Sequence, residues 1–189
     1  MKKLSLFLTC LTLIFSPMTQ ASAQNAKPKA DLENTLYIDV KYGRIVIELL
    51  PQVAPRHVER IKTLARQKFY DGIVFHRVID GFMAQTGDPT GTGMGGSKLP
   101  DLKAEFSDEP HIRGAVSMAR ASDPNSGNSQ FFIVTKDSRF LDGQYTVWGR
   151  VTSGMEFVDK LKKGDGRDGK VNGPDAMIKV RVAADEAKK

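Results

Sequence analysis

The sequence predicts a mainly β protein, a closed eight-stranded antiparallel β-barrel capped by two α-helices. Three observations carry that expectation: eight short segments with strand character, two segments of helical period, and no regular β–α alternation of the kind a parallel sheet requires. Closing the sheet would also remove exposed strand edges. A chain of 189 residues has room for one substantial core and is short for two.

The first element is a leader. Lys2 and Lys3 precede an apolar run from Leu4 to Phe15, and Ala21-Ser22-Ala23 supplies a small-x-small cleavage site. This predicts a signal peptide over residues 1–23, with the exported chain beginning at Gln24. The alternative, an uncleaved membrane anchor, needs about 20 apolar residues, more than this run provides. The expected location is the periplasm in a Gram-negative bacterium and the exterior otherwise, with no membrane association after cleavage. The single cysteine, Cys10, lies inside the signal, so the exported chain would have no thiol and no disulfide and would rest on its hydrophobic core. The net charge of +6 includes Lys2 and Lys3, leaving +4 after export. The remaining basic residues are interspersed with acids, which argues against a nucleic-acid partner.

Residues 24–34 are polar and read as a flexible leader. Leu36, Ile38 and Val40 alternate, Tyr42-Gly43 turns the chain, and Ile45, Ile47 and Leu49 alternate again, predicting an antiparallel hairpin. From Pro55 to Lys68 the period becomes helical, with Val58, Ile61, Leu64 and Ala65 on one stripe and Pro55 at the first helical position. Further strands are expected at 74–76, 82–85, 115–119, 131–135, 147–151 and 177–182. A second helix is expected where Ser153-Gly154-Met155-Glu156 has capping-box spacing, ending at Gly164. The domain should span 35–184, with a short polar tail at 185–189. Residues 87–114 form a long connection whose Gly-Thr-Gly-Met-Gly-Gly core is a poor phosphate cradle, because Ser97-Lys98 is in the wrong order and Pro100 follows.

Two segments concentrate the chemistry. Phe75-His76-Arg77-Val78-Ile79-Asp80-Gly81-Phe82-Met83-Ala84-Gln85-Thr86-Gly87-Asp88 is one; Met118-Ala119-Arg120 through Ser129-Gln130-Phe131-Phe132-Ile133 is the other. Both pair strand-like apolar runs with long donors, and neither holds an obvious nucleophile, a carboxylate pair or a metal cluster. A third segment, Phe140-Leu141-Asp142-Gly143-Gln144-Tyr145-Thr146-Val147-Trp148-Gly149, completes the pattern. Together they resemble the cyclophilin family of peptidyl-prolyl cis-trans isomerases, from about Leu36 to Val182.

The resemblance implies an exported isomerase that accelerates X–Pro isomerisation in folding proteins, without covalent intermediate, cofactor or metal. Arg77 matches the catalytic arginine. Phe82, Met83, Phe132 and Leu141 match the walls of the proline pocket. Gln85 matches the glutamine that holds substrate backbone, Ala119 and Arg120 the pair facing the residue before proline, and Gln130 another groove-lining polar residue. The glycine-rich loop would border the groove. Phe140 stands where many members carry tryptophan and Tyr145 where many carry histidine; Arg120 replaces a common asparagine, and Ser122–Asn128 departs from the eukaryotic pattern. These substitutions resemble bacterial cyclophilins and imply weak cyclosporin binding. The implied partners are proline-containing unfolded or folding polypeptides, and the implied state is a monomer.

Taken singly, these residues have plainer readings: Arg77 as a surface ion pair, and Phe82, Met83 and Phe132 as core. Their joint order and spacing favours the site. His57, His76 and His111 lie on three different elements without ligand spacing, which speaks against a metal. His76 is expected to be structural, directed away from the Arg77 face. No Gly-x-Ser-x-Gly elbow supports a hydrolase. A module that grips unfolded segments without turnover is the remaining rival, and Arg77 favours the enzyme.

Overall fold

The computed structural model describes residues 31–187. The signal over 1–23, most of the leader and the end of the tail lie outside the described residues. The last four residues of the leader are built into the fold: Asp31 accepts from the Asn34 N–H, and Glu33 is held by Arg66 and Lys62.

The hairpin forms as expected. Strands β1 (Thr35–Val40) and β2 (Gly43–Leu49) pair antiparallel, with Val40 opposite Gly43, and bury alternate residues on one face. Gly43 is required at the turn because it adopts φ +147 and a Cβ there would lie 2.5 Å from the Phe157 ring. Helix α1 (Pro55–Arg66) starts with proline at its first position and buries Val58, Ile61, Leu64 and Ala65, together with His57. Strands β3 (Arg77–Ile79), β4 (Met83–Thr86), β5 (Ala115–Met118), β6 (Phe131–Val134), β7 (Val147–Ser153) and β8 (Lys179–Val182) complete one sheet, in the order β3-β4-β6-β5-β7-β2-β1-β8. Helices α2 (Met155–Asp159) and α3 (Ala183–Glu186) are short.

Four expectations are corrected. The sheet is an open half-barrel, since no ladder joins β3 to β8. Across that gap residues 72–78 bond irregularly to 169–177, through Gly72 N–H to Met177 O, Phe75 N–H to Asp175 O and Val78 N–H to Gly169 O. Gly169, Gly173 and Pro174 keep the facing segment from running as a strand. For the same reason the strand expected at 74–76 is displaced to 77–79, leaving Val74 only an isolated bridge to Ala176. The capping box does not form, because Ser153 is still paired with Val46 in the β2–β7 ladder. Gly154 takes the cap position at φ +90, without a side-chain bond, and α2 ends at Asp159, well before Gly164. Finally, the half-barrel carries three α-helices among the described residues where two were expected.

The core lies on one face of the sheet, where Trp148, Tyr70, Phe75 and Phe131 are fully buried beneath α1. Phe131 meets Tyr70 and Trp148 edge-on at centroid distances of 5.7 and 5.3 Å. β5 and β6 are buried on both faces. Their other face belongs to a second cluster of Met83, Ala115, Phe132, Val134 and Leu141. Period-2 alternation thus sends Phe131 to the core and its neighbour Phe132 to the opposite side.

Candidate active site

Strand register builds the site. Arg77 pairs with Gln85 across β3–β4, Gln85 with Phe132 across β4–β6, and Phe132 with Ser117 across β6–β5. Four residues from four strands therefore lie in one row on one face. Ile79, Met83 and Ala115 share that face at two-residue spacing.

Above the row is a cavity of about 300 Å³, lined by Arg77, Phe82, Met83, Gln85, Ala119, Arg120, Phe132, Phe140, Leu141 and Tyr145. Met83, Phe132 and Leu141 form its buried floor and walls. Phe82 and Phe140 make an aromatic rim with ring centroids 5.5 Å apart, and Phe140 is 66% exposed. Tyr145 stands edge-on to Phe132 at 5.5 Å. Of the residues singled out from the sequence, only Gln130 lies outside this cavity. It lines an adjoining recess of about 440 Å³ shared with Gln85, Ala119 and Arg120.

The polar groups form a connected chain. Arg77 Nη1 donates to Gln85 Oε1 at 3.1 Å, and Arg77 Nε donates to the Asp168 carbonyl at 2.7 Å. Gln85 Nε2 donates to Gln130 Oε1 at 2.9 Å, and Gln130 Nε2 donates to the Gly93 and Gly95 carbonyls at 3.0 and 2.8 Å. The chain runs from the guanidinium to the glycine-rich loop, which lines the recess beside the cavity. Among the described residues no carboxylate lies in ion-pair contact with Arg77, which lines the cavity. Arg120 lies over the Tyr145 ring at 4.7 Å and donates to the Gln144 carbonyl at 3.0 Å. The Ala119 N–H is taken by the Gln130 carbonyl at 2.9 Å.

Several contributors were not singled out from the sequence. Asp88 organises the loop by accepting from the N–H groups of Thr90, Thr92 and Gly93. Burial opposes its charge, but these bonds hold its carboxyl down at about 2. The Asp-Pro-Thr-Gly string at 88–91 is an Asx-turn signal that could have marked it. The Asp168 carbonyl carries no side-chain signature and was not legible. His111, Ser117 and Asp142 gather behind Phe132 from positions too scattered to form a local motif. His76 precedes β3 and is buried under the loop, where a Cβ on Gly93 would lie 3.6 Å from its ring. Burial lowers its pKa, against the pull of Asp88. No group of three His, Cys, Asp or Glu that could hold a metal occurs among the described residues.

The site is a slot walled by Met83, Phe132 and Leu141 with the Arg77 guanidinium in its lining, carried on a curled antiparallel sheet. Comparisons with known proteins give its class. Residues 35–182 match the family described as "Cyclophilin type peptidyl-prolyl cis-trans isomerase/CLD". A relative from Brucella suis named "Probable peptidyl-prolyl cis-trans isomerase" is 52% identical over 168 residues, covering 82% of this chain and 86% of the relative. The Helicobacter pylori "Peptidyl-prolyl cis-trans isomerase" is 45% identical over 141 residues, covering 71% and 85%. Among solved structures, the cyclophilin AquaCyp293 from Hirschia baltica superposes with a TM-score of 0.74 at 31% identity, covering 82% of this chain and 76% of that one. A Cryptosporidium parvum cyclophilin-type isomerase, crystallised in the presence of the dipeptide Ala-Pro, gives 0.72 at 29% identity, covering 78% and 98%. The chain belongs to the cyclophilin-type peptidyl-prolyl cis-trans isomerases.

Proposed function

We propose that this isomerase acts on X–Pro bonds of folding exported proteins, and that Arg77 assists by stabilising the twisted prolyl amide. Rotation about the bond faces a barrier of roughly 18–20 kcal/mol, because the C–N bond has partial double-bond character. Twisting breaks that resonance and returns a lone pair to the prolyl nitrogen. A donor aimed there binds the twisted state better than either planar isomer, which is the requirement for catalysis. Arginine suits this role, being always charged and offering several donors in a rigid fork.

The observation that carries this reading is the position of Arg77 at the mouth of an apolar slot, its Nε and Nη1 tied to Asp168 O and Gln85. Two tethers fix the plane of the fork, and no hydrogen bond among the described residues engages Nη2. Met83, Phe132, Phe82 and Leu141 would hold the proline ring while the preceding residue turns. Gln85 and Gln130 would align substrate backbone, and Ala119 and Arg120 would face the residue before proline. Phe140 and Tyr145 would form the rim, with weak cyclosporin binding because Phe140 lacks an indole N–H. The Ala-Pro dipeptide used with the Cryptosporidium relative supports proline-containing peptides as substrates. Lys2, Lys3, the apolar run and Ala21-Ser22-Ala23 support export by a cleaved signal over 1–23, with a monomeric domain at 35–184 acting in the periplasm or outside the cell.

The experiment is a prolyl-peptide isomerisation assay on the chain from Gln24 to Lys189, with protein recovered from the exported fraction analysed by mass spectrometry. Turnover and a mass starting at Gln24 are expected. A chain that binds proline peptides without accelerating their exchange overturns the catalytic role. An intact Met1 in a membrane fraction overturns the cleaved signal.

A further inference from the structure

A polar constellation lies behind the cavity wall. His111 is fully buried, with Nδ1 3.0 Å from Asp142 Oδ1 and Nε2 2.9 Å from Ser117 Oγ. Asp142 Oδ1 also accepts the His111 main-chain N–H at 2.7 Å, and the His111 carbonyl accepts the Ser138 N–H at 2.7 Å. Ser138 and Asp142 flank the 3₁₀ turn Arg139–Leu141, which carries Phe140 and Leu141. One residue therefore fastens both ends of that turn. Its ring also stacks on Phe132, with centroids 6.3 Å apart at 19°, and meets Tyr145 edge-on at 6.4 Å.

The Ser–His–Asp order is that of a hydrolase triad. Ser117 is fully buried and lies beside Phe132 in the ladder, so no substrate reaches its hydroxyl. What the geometry supports is support itself. We propose that His111 is a positioning residue of the isomerase pocket, holding the Phe132 wall and the Phe140–Leu141 wall at the spacing that grips a proline ring, and that it does so as the neutral imidazole.

The neutral form follows from the donor count. Asp142 is acceptor-only and accepts from the Nδ1 N–H, so Nε2 presents a lone pair to the Ser117 hydroxyl. Protonation would turn Nε2 into a donor and leave the Ser117 hydrogen without the acceptor it now has. The groups facing His111 are Asp142, with Arg139 on its other oxygen, and Tyr145; β5 contributes Ser117 and β6 contributes Phe132. Burial lowers the pKa of His111, partly opposed by Asp142.

This inference rests on the proline-pocket reading of the cavity, and the test separates the two. Proline-peptide affinity by titration and turnover by exchange spectroscopy are measured between about pH 5 and 8 on wild type, His111→Gln and Asp142→Asn. His111→Gln should weaken peptide binding about tenfold while lowering turnover at saturating peptide less than about threefold. Wild-type affinity should fall as pH drops through the histidine range, and the His111→Gln affinity should stay flat. Asp142→Asn should weaken binding in the same direction and move the pH midpoint lower, because the carboxylate that favours imidazolium is gone. If His111→Gln fails to fold, Asp142→Asn decides alone on the same two readouts. A wild type that neither binds nor turns over proline peptides overturns the pocket reading. A competent wild type with folded variants of unchanged affinity overturns the role of His111, as does pH dependence that survives in His111→Gln.

Discussion

Arg77 and Gln85 are direct cross-strand partners in the β3–β4 ladder, and the same pairing brings Arg77 Nη1 within 3.1 Å of Gln85 Oε1. The contact is thus a consequence of register. A slip of one residue in β3 would send Arg77 to the core face and dismantle the contact. Gln85 then passes the constraint to Gln130 and the glycine-rich loop, so the guanidinium is oriented by a sheet, a loop and the Asp168 carbonyl together.

That dependence on a close backbone approach gives a first prediction. Gly87 follows β4 at φ +88, and a Cβ there would lie 2.3 Å from the Ser129 carbonyl. Gly72 has a similar φ of +81 with nothing within 4 Å. Gly72→Ala should cost about 1–2 kcal/mol from backbone strain alone. Gly87→Ala should cost clearly more, since the clash displaces the Ser129–Gln130 backbone that leads into β6 and Phe132. Urea titration of both variants tests this; equal costs would remove the close-approach argument.

What the sequence made legible was whatever repeats with a fixed period. The β1–β2 hairpin follows from alternation and α1 from helical period. The row of Arg77, Gln85 and Phe132 does not, because the strand expected at 74–76 stops short of Arg77 and the register that aligns the three is a property of the folded sheet. The open seam at 72–78 was not legible, because its apolar residues read as a strand while Gly169, Gly173 and Pro174, about a hundred residues away, decide the pairing. Ser153 misled for a related reason: capping-box spacing is local, yet pairing with Val46 keeps the residue in β7. His111 and Asp142 carry no periodic or spacing signal, since they meet only when the turn at 139–141 folds back.

Acid should destabilise the fold in a defined window. His57, His76 and His111 are each buried, and burial lowers all three pKa values below the ordinary 6.5. The unfolded chain therefore binds protons that the native state does not. Their contribution is fully present above about pH 6.5 and is lost as pH falls through the lowered native values. Asp88 and Asp142, held at about 2, act in a separate window at lower pH. The urea midpoint should be flat from about pH 8 to 7 and decline toward pH 5, and His57→Gln should reduce that decline. A midpoint that rises toward pH 5 would contradict the assignment.

Cyclosporin binding should be limited at the rim. Phe140 has no hydrogen-bond donor on its side chain and is 66% exposed, so a donor restored there would act partly in solvent. Phe140→Trp should tighten binding by about three- to tenfold, within the roughly 0.5–1.5 kcal/mol that one hydrogen bond supplies net. Isothermal titration of both proteins measures it. A change below about twofold would assign the weakness elsewhere on the rim, with Arg120 and Tyr145 as the next substitutions.

The sharpest prediction concerns Arg77. An interaction made mainly with the twisted amide should appear in turnover and barely in ground-state affinity. Arg77→Ala should lower the isomerisation rate on the order of a hundredfold or more, as loss of a preorganised donor does elsewhere, while peptide affinity changes less than about threefold. Arg77→Lys should restore only part of the rate, because an ammonium cannot donate to Gln85 and Asp168 O in one plane and still present a further donor to the substrate. Phe132→Ala should behave differently, weakening affinity and rate together, because it removes a buried wall of the slot. Exchange spectroscopy and titration on the same folded variants separate these signatures. Near-full turnover in Arg77→Ala would remove the guanidinium from the mechanism and leave a groove that binds proline segments by shape alone.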